Sequence, residues 1–122
     1  MTPAAIKPIV SADDLDKIDI RVGTIVAVYD MVATDHLVKL LVNFGDHQRS
    51  IVVGMKKERV DPRVDPQTEI EGKQALFVIN LKSRRMAGEL SEGMLFDIGY
   101  ADKMTPVLAM PEKPVPNGTR AG

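Results

Sequence analysis

Three cations stand close together between two largely apolar stretches of the chain, 75–79 and 94–98. Lys82, Arg84 and Arg85 fall within four positions, with no acidic residue among them. Neutral hydrogen-bonding side chains flank them at Asn80, Ser83 and Ser91. Ammonium and guanidinium groups bind anionic oxygens, and amides and hydroxyls add directional hydrogen bonds. The spacing predicts an anion-binding loop; the alternative is a charged loop that only keeps the surface solvated.

Catalytic and metal-binding chemistry is poorly represented in the sequence. The only histidines, His36 and His47, each follow an aspartate at a position predicted to be loop or turn, and no serine-nucleophile motif accompanies them. The chain has no cysteine, no glycine-rich phosphate loop and no ligand spacing typical of a metal site. We therefore expect a protein that is not an enzyme and holds neither a metal ion nor a cofactor.

Length and composition narrow the class of protein. A chain of 122 residues is long enough for one domain with a core, and because tryptophan is absent and other aromatics are few, Val, Ile, Leu and Met must fill it. No stretch reaches membrane-spanning length, and the first residues lack the apolar run of a secretory signal. A soluble cytoplasmic protein is expected.

The net charge of −1 argues against a nucleic-acid partner, but the charges are segregated. Residues 73–88 contain four cations and no acid, whereas acidic residues cluster at 13–19 and again after position 88. Phosphate binding requires a local positive field and not a positive total. The pattern predicts one basic face on an otherwise acidic body.

Short apolar alternations predict five or six strands and little helix. The predicted strands cover 19–29, 37–44, 47–54, 72–79 and 93–98, with a sixth short strand or hairpin partner at 104–110. Gly45-Asp46 predicts the tight turn between the second and third strands. Ser11 to Asp14 predicts a capped short helix through about Lys17, with Leu15 and Ile18 facing the core.

Two positions in the first strand allow alternative interpretations. A change of phase beside Gly23 predicts a bulge, where this glycine either lets the strand curve or lies under a neighbouring side chain. Arg21 either pairs with Asp19 or lies on a binding face. The polar segment 55–72, with Pro62 and Pro66, predicts a solvated connector.

Two motifs in this order resemble the tRNA-binding domain family. The first is Asp16–Val26; the second combines Asn80–Lys82, Arg85-Met86, Gly88, Ser91 and Gly93–Leu95. The family includes the C-terminal domains of many methionyl-tRNA synthetases, endothelial monocyte-activating polypeptide, free-standing tRNA-binding proteins and the secretion chaperone CsaA. The resemblance extends from about Leu15 to Thr119.

This resemblance implies an all-β fold: a five-stranded OB-fold barrel with a short helix and extra terminal strands or arms, forming a single domain over 1–122. It implies non-catalytic binding of tRNA, whose shape is recognised through the basic loop. The expected RNA-binding residues are Asn80, Lys82, Arg84, Arg85, Ser91 and Arg21, with Lys56, Lys57 and Lys73 in second rank. The first loop, 33–37, lacks the lysine usual in the family, so an RNA contact there is less expected.

The methionines and the same resemblance support an alternative function. Met55, Met86, Met94, Met104 and Met110 either fill a core that is poor in aromatics or form an adaptable groove. A groove would suit a CsaA-like export chaperone that binds unfolded polypeptides. The partners expected are therefore tRNA, an aminoacyl-tRNA synthetase or an unfolded polypeptide, and not a membrane.

The two ends of the chain extend beyond the predicted barrel. Residues 1–10 predict an N-terminal arm and residues 111–122 a proline-rich C-terminal extension. One basic loop offers few phosphate contacts, and a second copy at fixed separation would raise the effective concentration. We expect a homodimer in which the ends lie across the partner's barrel; the alternative is that both ends are frayed.

Overall fold

A computed structural model describes residues 2–55 and 69–122. The helical elements with both ends among the described residues are α1, Ala12–Leu15, and a 3₁₀ turn, Tyr100–Asp102. Glu69 and Ile70 are helical as well. The strands are β1 Ile20–Asp30, β2 Val38–Asn43, β3 Gln48–Val53, β4 Gln74–Val78, β5 Arg84–Met86, β6 Glu89–Ser91, β7 Met94–Leu95, β8 Asp97–Ile98, β9 Val107–Leu108 and β10 Arg120–Ala121. Most of the predicted connector, including Lys56 and Lys57, lies outside the described residues. Within them, no helix is long and apolar enough to cross a membrane.

The main sheet is antiparallel and is organised around β1. Its strand order is β3-β2-β1-β4-β7, and β10 pairs with the beginning of β1. The first half of β1 pairs with β4, the second half pairs with β2, and Thr24 takes part in both pairings. The sheet curls into an OB-fold-like half-barrel, as predicted. Because β4 runs antiparallel to β1, residues 79 and 80, which follow β4, lie beside the start of β1.

The curled sheet encloses a core of aliphatic side chains with few aromatics. Its largest fully buried side chains are Phe44, Phe77, Ile25, Leu40, Ile51, Met55, Ile70 and Val42. Phe44 and Phe77 meet edge to face, with ring centroids 5.6 Å apart. Each such side chain contributes about 1.5–3 kcal/mol by leaving water. The predicted composition of the core is confirmed.

The predicted bulge in β1 is present, but it lies between Ile25 and Ala27 and not at Gly23. Gly23 is buried beneath two side chains. A methyl group added there would lie 2.5 Å from Val42 Cγ1 and 2.9 Å from Phe44 Cε1. Of the two interpretations of Gly23, the structure supports the small residue under its neighbours.

The helix begins as predicted, but its packing does not follow the prediction. Ser11 Oγ accepts a hydrogen bond from Asp14 N at 3.1 Å. The Asp14 carboxylate pairs with Lys17 Nζ at 2.9 Å and does not reach back to the cap. Leu15 and Ile18 are 61% and 50% exposed, so the expectation that they face the core was wrong. A single helical turn directs few side chains at a sheet, and hydrogen bonds from Asn80 hold the chain that follows.

The stretch predicted as a loop contains a two-stranded hairpin. β5 pairs with β6, and Ala87 and Gly88 at the turn both have positive φ, 49° and 86°. Alanine rarely adopts this conformation, so the turn had no clear sequence signal. The predicted strand 93–98 is divided into β7 and β8 at Phe96, whose N–H donates to Leu76 O at 3.0 Å. The predicted strand 104–110 is reduced to β9, which pairs with β8.

The C-terminal segment packs on its own barrel. Gly118 N–H donates to Val22 O at 2.8 Å, and Val22 N–H donates to Thr119 O at 2.9 Å. This bonding satisfies the backbone of β1 within the chain. That the ends lie across a partner's barrel stays a prediction. Residues 2–10, in contrast, have no regular secondary structure and are exposed throughout.

Replacing Gly23 by alanine should destabilise the fold by about 1–3 kcal/mol, because the new methyl group must displace buried Val42 and Phe44. Urea unfolding followed by circular dichroism would measure the change. Gly54→Ala is the matched control, since its methyl group would meet Leu37 Cδ2 at an ordinary 3.9 Å. Equal stability of the two variants would contradict this explanation of Gly23.

Candidate nucleic-acid interface

Residues 82–91, which we call the basic hairpin, carry the three predicted cations on an exposed support. The side chains of Lys82, Arg84 and Arg85 are all exposed. Among the described residues, the side chains of Lys82 and Arg84 have no ion pair or hydrogen bond, and the Arg85 side chain makes only a long bond to Gly88 O, at 3.4 Å. The nearby carboxylate of Glu89 is paired with Lys39 Nζ at 3.4 Å. The cations are therefore available to an external anion.

The hairpin does not gather its cations on one flat surface. Arg84 lies opposite Ser91, and Arg85 lies opposite Leu90. Because successive strand residues point to opposite faces, Arg84 and Arg85 project on opposite sides. Met86 lies on the same face as Arg84 and packs half-buried against Met31, Leu37 and Val52. The arrangement suits a ligand whose anionic groups surround the hairpin.

Ser91 anchors the hairpin to the barrel. It is only 3% exposed. Its Oγ accepts a hydrogen bond from Val52 N at 3.0 Å and donates to Gly93 O at 3.0 Å. Its donor is in use and its hydroxyl is turned away from solvent, so in this structure Ser91 positions the hairpin.

Two residues that the sequence analysis did not select complete this anchor. Glu92 N–H donates to Ser50 O at 2.8 Å, and Glu92 Oε1 accepts from Ser50 N at 3.1 Å. Arg49 Nη1 donates to Ile79 O at 2.7 Å and to Glu92 O at 3.1 Å. The signal for Arg49 was a cation inside a predicted barrel strand, the pattern that drew attention to Arg21.

Asn80 links the start of the same segment to the entry of β1. Its Oδ1 accepts from Asp19 N at 2.8 Å, and its Nδ2 donates to Lys17 O at 2.6 Å. These partners, one donor and one acceptor, define the orientation of the amide. Ile79 N–H also donates to Asp19 O at 2.9 Å. Asn80 thus ties the chain before the basic hairpin to the barrel.

Arg21 is paired within β1. Its Nε and Nη2 donate to the two carboxylate oxygens of Asp19 at 2.9 and 3.1 Å. This hydrogen bonding lowers the pKa of the Asp19 carboxyl below its ordinary value, so the pair stays charged at neutral pH. Arg21 remains one-third exposed. Lys73 precedes β4, whereas the basic hairpin follows it, so the structure does not bring Lys73 to the hairpin.

Several apolar side chains on β7, β8, β9 and their connections, which we call the apolar surface, are about half-exposed. Its members are Met94, Phe96, Ile98, Tyr100, Met104, Val107 and Met110, each between 43% and 61% exposed. Met55, in contrast, is buried in the core, so the methionines divide between core filling and exposed surface. The described residues contain no cluster of acidic and histidine side chains able to hold a metal ion.

Comparison with known sequences identifies the class of protein. A family model described as a putative tRNA-binding domain matches residues 20–120. The methionine–tRNA ligase of Chlorobium chlorochromatii is 38% identical over 96 residues, which are 79% of this chain and 13% of that ligase. This chain belongs to the tRNA-binding domain family, and it spans only a small part of the curated ligases it matches.

Solved structures agree with this assignment. The MetRS-related protein of Pyrococcus horikoshii superposes with a TM-score of 0.83 at 31% identity, covering 95% of this chain and all of that chain. The CsaA chaperone of Picrophilus torridus has the same fold, with a TM-score of 0.77 at 24% identity, covering 93% of this chain and all of that chain. The resemblance noted in the two sequence motifs is confirmed.

Replacing Ser91 by alanine should cost about 1–3 kcal/mol of stability, because Val52 N–H would lose its acceptor inside the protein. Urea unfolding would measure the loss. Ser83→Ala is the matched control, since Ser83 lies in the same segment but is exposed. A Ser91 variant as stable as the Ser83 variant would show that this hydroxyl does not anchor the hairpin.

Proposed function

We propose that this chain is a non-enzymatic tRNA-binding module that holds RNA phosphates with its basic hairpin. The observation that carries the proposal is the exposure of Lys82 and Arg84 without a carboxylate partner among the described residues. Membership of the tRNA-binding domain family makes tRNA the preferred ligand. Because tRNA functions in the cytoplasm, we place the protein there too.

The hairpin geometry favours recognition of RNA shape. Phosphate contacts fix orientation but carry no base sequence, and folded RNA presents phosphates in a characteristic arrangement. Lys82, Arg84 and Arg85 would supply these contacts from both faces of the hairpin. Asn80 and Ser91 would keep the hairpin in place, and Arg21 would add a positive charge at the edge of the site. Lys73, at the far end of β4, would be a peripheral contact at most.

Salt dependence tests the three proposed contacts. Three phosphates neutralised by the hairpin should give a log–log slope of tRNA affinity against salt of about −2 to −3, and each single change to alanine should flatten it by about one. Filter binding across a salt series would measure both. Lys113→Ala is the matched control, because Lys113 is an exposed cation in the C-terminal segment.

The competing ligands must be measured in the same experiment. Retention of tRNA in preference to duplex DNA and to an unfolded polypeptide is the expected result. A preference for the polypeptide would favour the chaperone interpretation. Unchanged slopes in all three alanine variants would show that the basic hairpin is not the site.

We infer that the working form is a homodimer formed through the apolar surface. Seven half-exposed apolar side chains on β7, β8, β9 and the connections between them are typical of a protein interface. The N-terminal arm adds Ile6 and Ile9, which are 99% and 100% exposed. The C-terminal segment already packs on its own barrel, so the arm and the apolar surface are the parts that a second copy would cover. Two hairpins held together would raise the effective concentration for one large RNA.

A single charge on the apolar surface should separate the copies. Sedimentation equilibrium at tens of micromolar should find the full chain dimeric, Ile98→Asp monomeric and Val32→Asp dimeric. Val32 is the matched control because it is 87% exposed and lies outside this surface. A monomeric full chain would contradict the dimer. If the full chain is monomeric and binds an unfolded polypeptide, loss of that binding in Ile98→Asp would assign the apolar surface to unfolded chains.

A further inference from the structure

A chain of hydrogen bonds runs from the turn after β2 to both ends of residues 80–91, the segment that carries the basic hairpin. Asp46 Oδ1 lies 2.6 Å from His47 Nδ1, and His47 Nε2 lies 2.9 Å from Arg49 Nε. The Arg49 guanidinium then reaches Ile79 O and Glu92 O. Ile79 lies just before the segment and Glu92 just after it. One side chain therefore joins its two ends.

These contacts define the protonation state of the imidazole. Arg49 Nε always carries its hydrogen, so the His47 Nε2 atom that faces it must accept and must be unprotonated. Nδ1 then carries the ring proton and donates it to Asp46. This hydrogen bond lowers the pKa of the Asp46 carboxyl, which stays ionised. The chain of bonds is complete only when His47 is neutral.

The surroundings contain charges of both signs. His47 faces Asp46 in its own turn and Arg49 on β3, and its ring stacks on Phe44 with centroids 5.5 Å apart. The positive charge of Arg21 on β1 attracts the Asp46 carboxylate. The charges of Arg49 and of Arg120 on β10 attract the Asp19 carboxylate just before β1. The Glu92 carboxylate is occupied by Ser50 N. The His47 side chain is 36% exposed, so solvent protons reach it.

A second proton on His47 would place two donors, both on cationic groups, 2.9 Å apart. Arg49 would have to turn away from the ring, and its bonds to Ile79 O and Glu92 O depend on its present position. Ser91, Asn80 and the Glu92 bonds to Ser50 would still hold the hairpin loosely. The cations would remain on the protein but would lose their fixed spacing.

We propose that Arg49 is a positioning residue for the basic hairpin and that protonation of His47 releases it, so that RNA binding weakens as the pH falls below neutral. The inference rests on the proposed tRNA-binding function. Its direction is informative, because a histidine that merely gains charge near RNA would strengthen phosphate binding at low pH. Release of the hairpin predicts the opposite sign.

The test compares tRNA affinity at about pH 7.5 and about pH 5.5, a range in which histidines change charge, at constant ionic strength. The wild type should bind roughly tenfold more weakly at the lower pH, as expected for losing charge-assisted bonds that position a site. His47→Gln should bind equally at both, because a glutamine oxygen accepts from Arg49 without titrating. His36→Gln is the matched control and should behave as the wild type, since within residues 2–55 and 69–122 the His36 side chain pairs only with Asp35.

Arg49→Met provides the second arm. It should bind tRNA weakly at both pH values and show no pH dependence, and thermal unfolding would confirm that it folds. If it does not fold, the His47→Gln comparison decides alone. Affinity in the wild type that is constant or rises as the pH falls would overturn the proposal. So would equal pH dependence in the wild type and His47→Gln.

An NMR titration of the wild-type protein separates this inference from the proposed function. The His47 ring should carry its proton on Nδ1 at neutral pH, and the amide signals of Ile79, Met86 and Glu92 should shift together with the ring signals of His47 as the pH is lowered. A proton on Nε2 at neutral pH would overturn the proposal. A protein that binds no tRNA at neutral pH would refute the proposed function, while the titration would still decide whether Arg49 holds the hairpin.

Discussion

The exposed edge of β3 is the constraint on which the site depends. The strand order leaves β3 at one end of the sheet, so its N–H and C=O groups need partners from elsewhere in the curled chain. Ser91 and Glu92 supply them, through Oγ to Val52 and through two bonds to Ser50. The hydrogen bonds that cover the edge of β3 are therefore the same bonds that hold the basic hairpin in place.

The polar residues of the site fall into two groups, according to whether their hydrogen-bonding groups are used within the protein. Asn80, Ser91 and Glu92 use their hydrogen-bonding groups on the protein backbone, whereas Lys82 and Arg84 use none among the described residues. A side chain that satisfies a buried backbone group loses much if it turns toward a ligand. A surface cation loses little. The residues that hold the hairpin are consequently different from the exposed cations of the proposed site, which lie a few positions away.

Local signals in the sequence predicted most of the barrel and the exposed cations. Alternation identified β1 to β4, the Ser11 cap was readable, and the Gly45 turn has the positive φ that was expected. The pairing of Arg21 with nearby Asp19 was one of two alternatives that the sequence offered. The burial of Ser91 and the role of Arg49 depend on contacts between distant segments, which no local pattern encodes. The prediction that Leu15 and Ile18 face the core was wrong for a related reason, because periodicity cannot show whether a one-turn helix packs against the sheet. The Ala87-Gly88 turn was not predicted because it has alanine where two-residue hairpin turns usually have asparagine, aspartate or glycine before the glycine.

That same turn affects how the hairpin meets a ligand. Alanine at φ 49° is held in a conformation it rarely prefers, and a hairpin of two three-residue strands is only marginally stable by itself. The order of the hairpin tip therefore depends on this turn as well as on the bonds that anchor the hairpin to β3. The residue type at position 87 consequently affects how well the hairpin tip is ordered: a residue that favours positive φ would restrict the tip, although its side chain carries no charge and pairs with no group of the site.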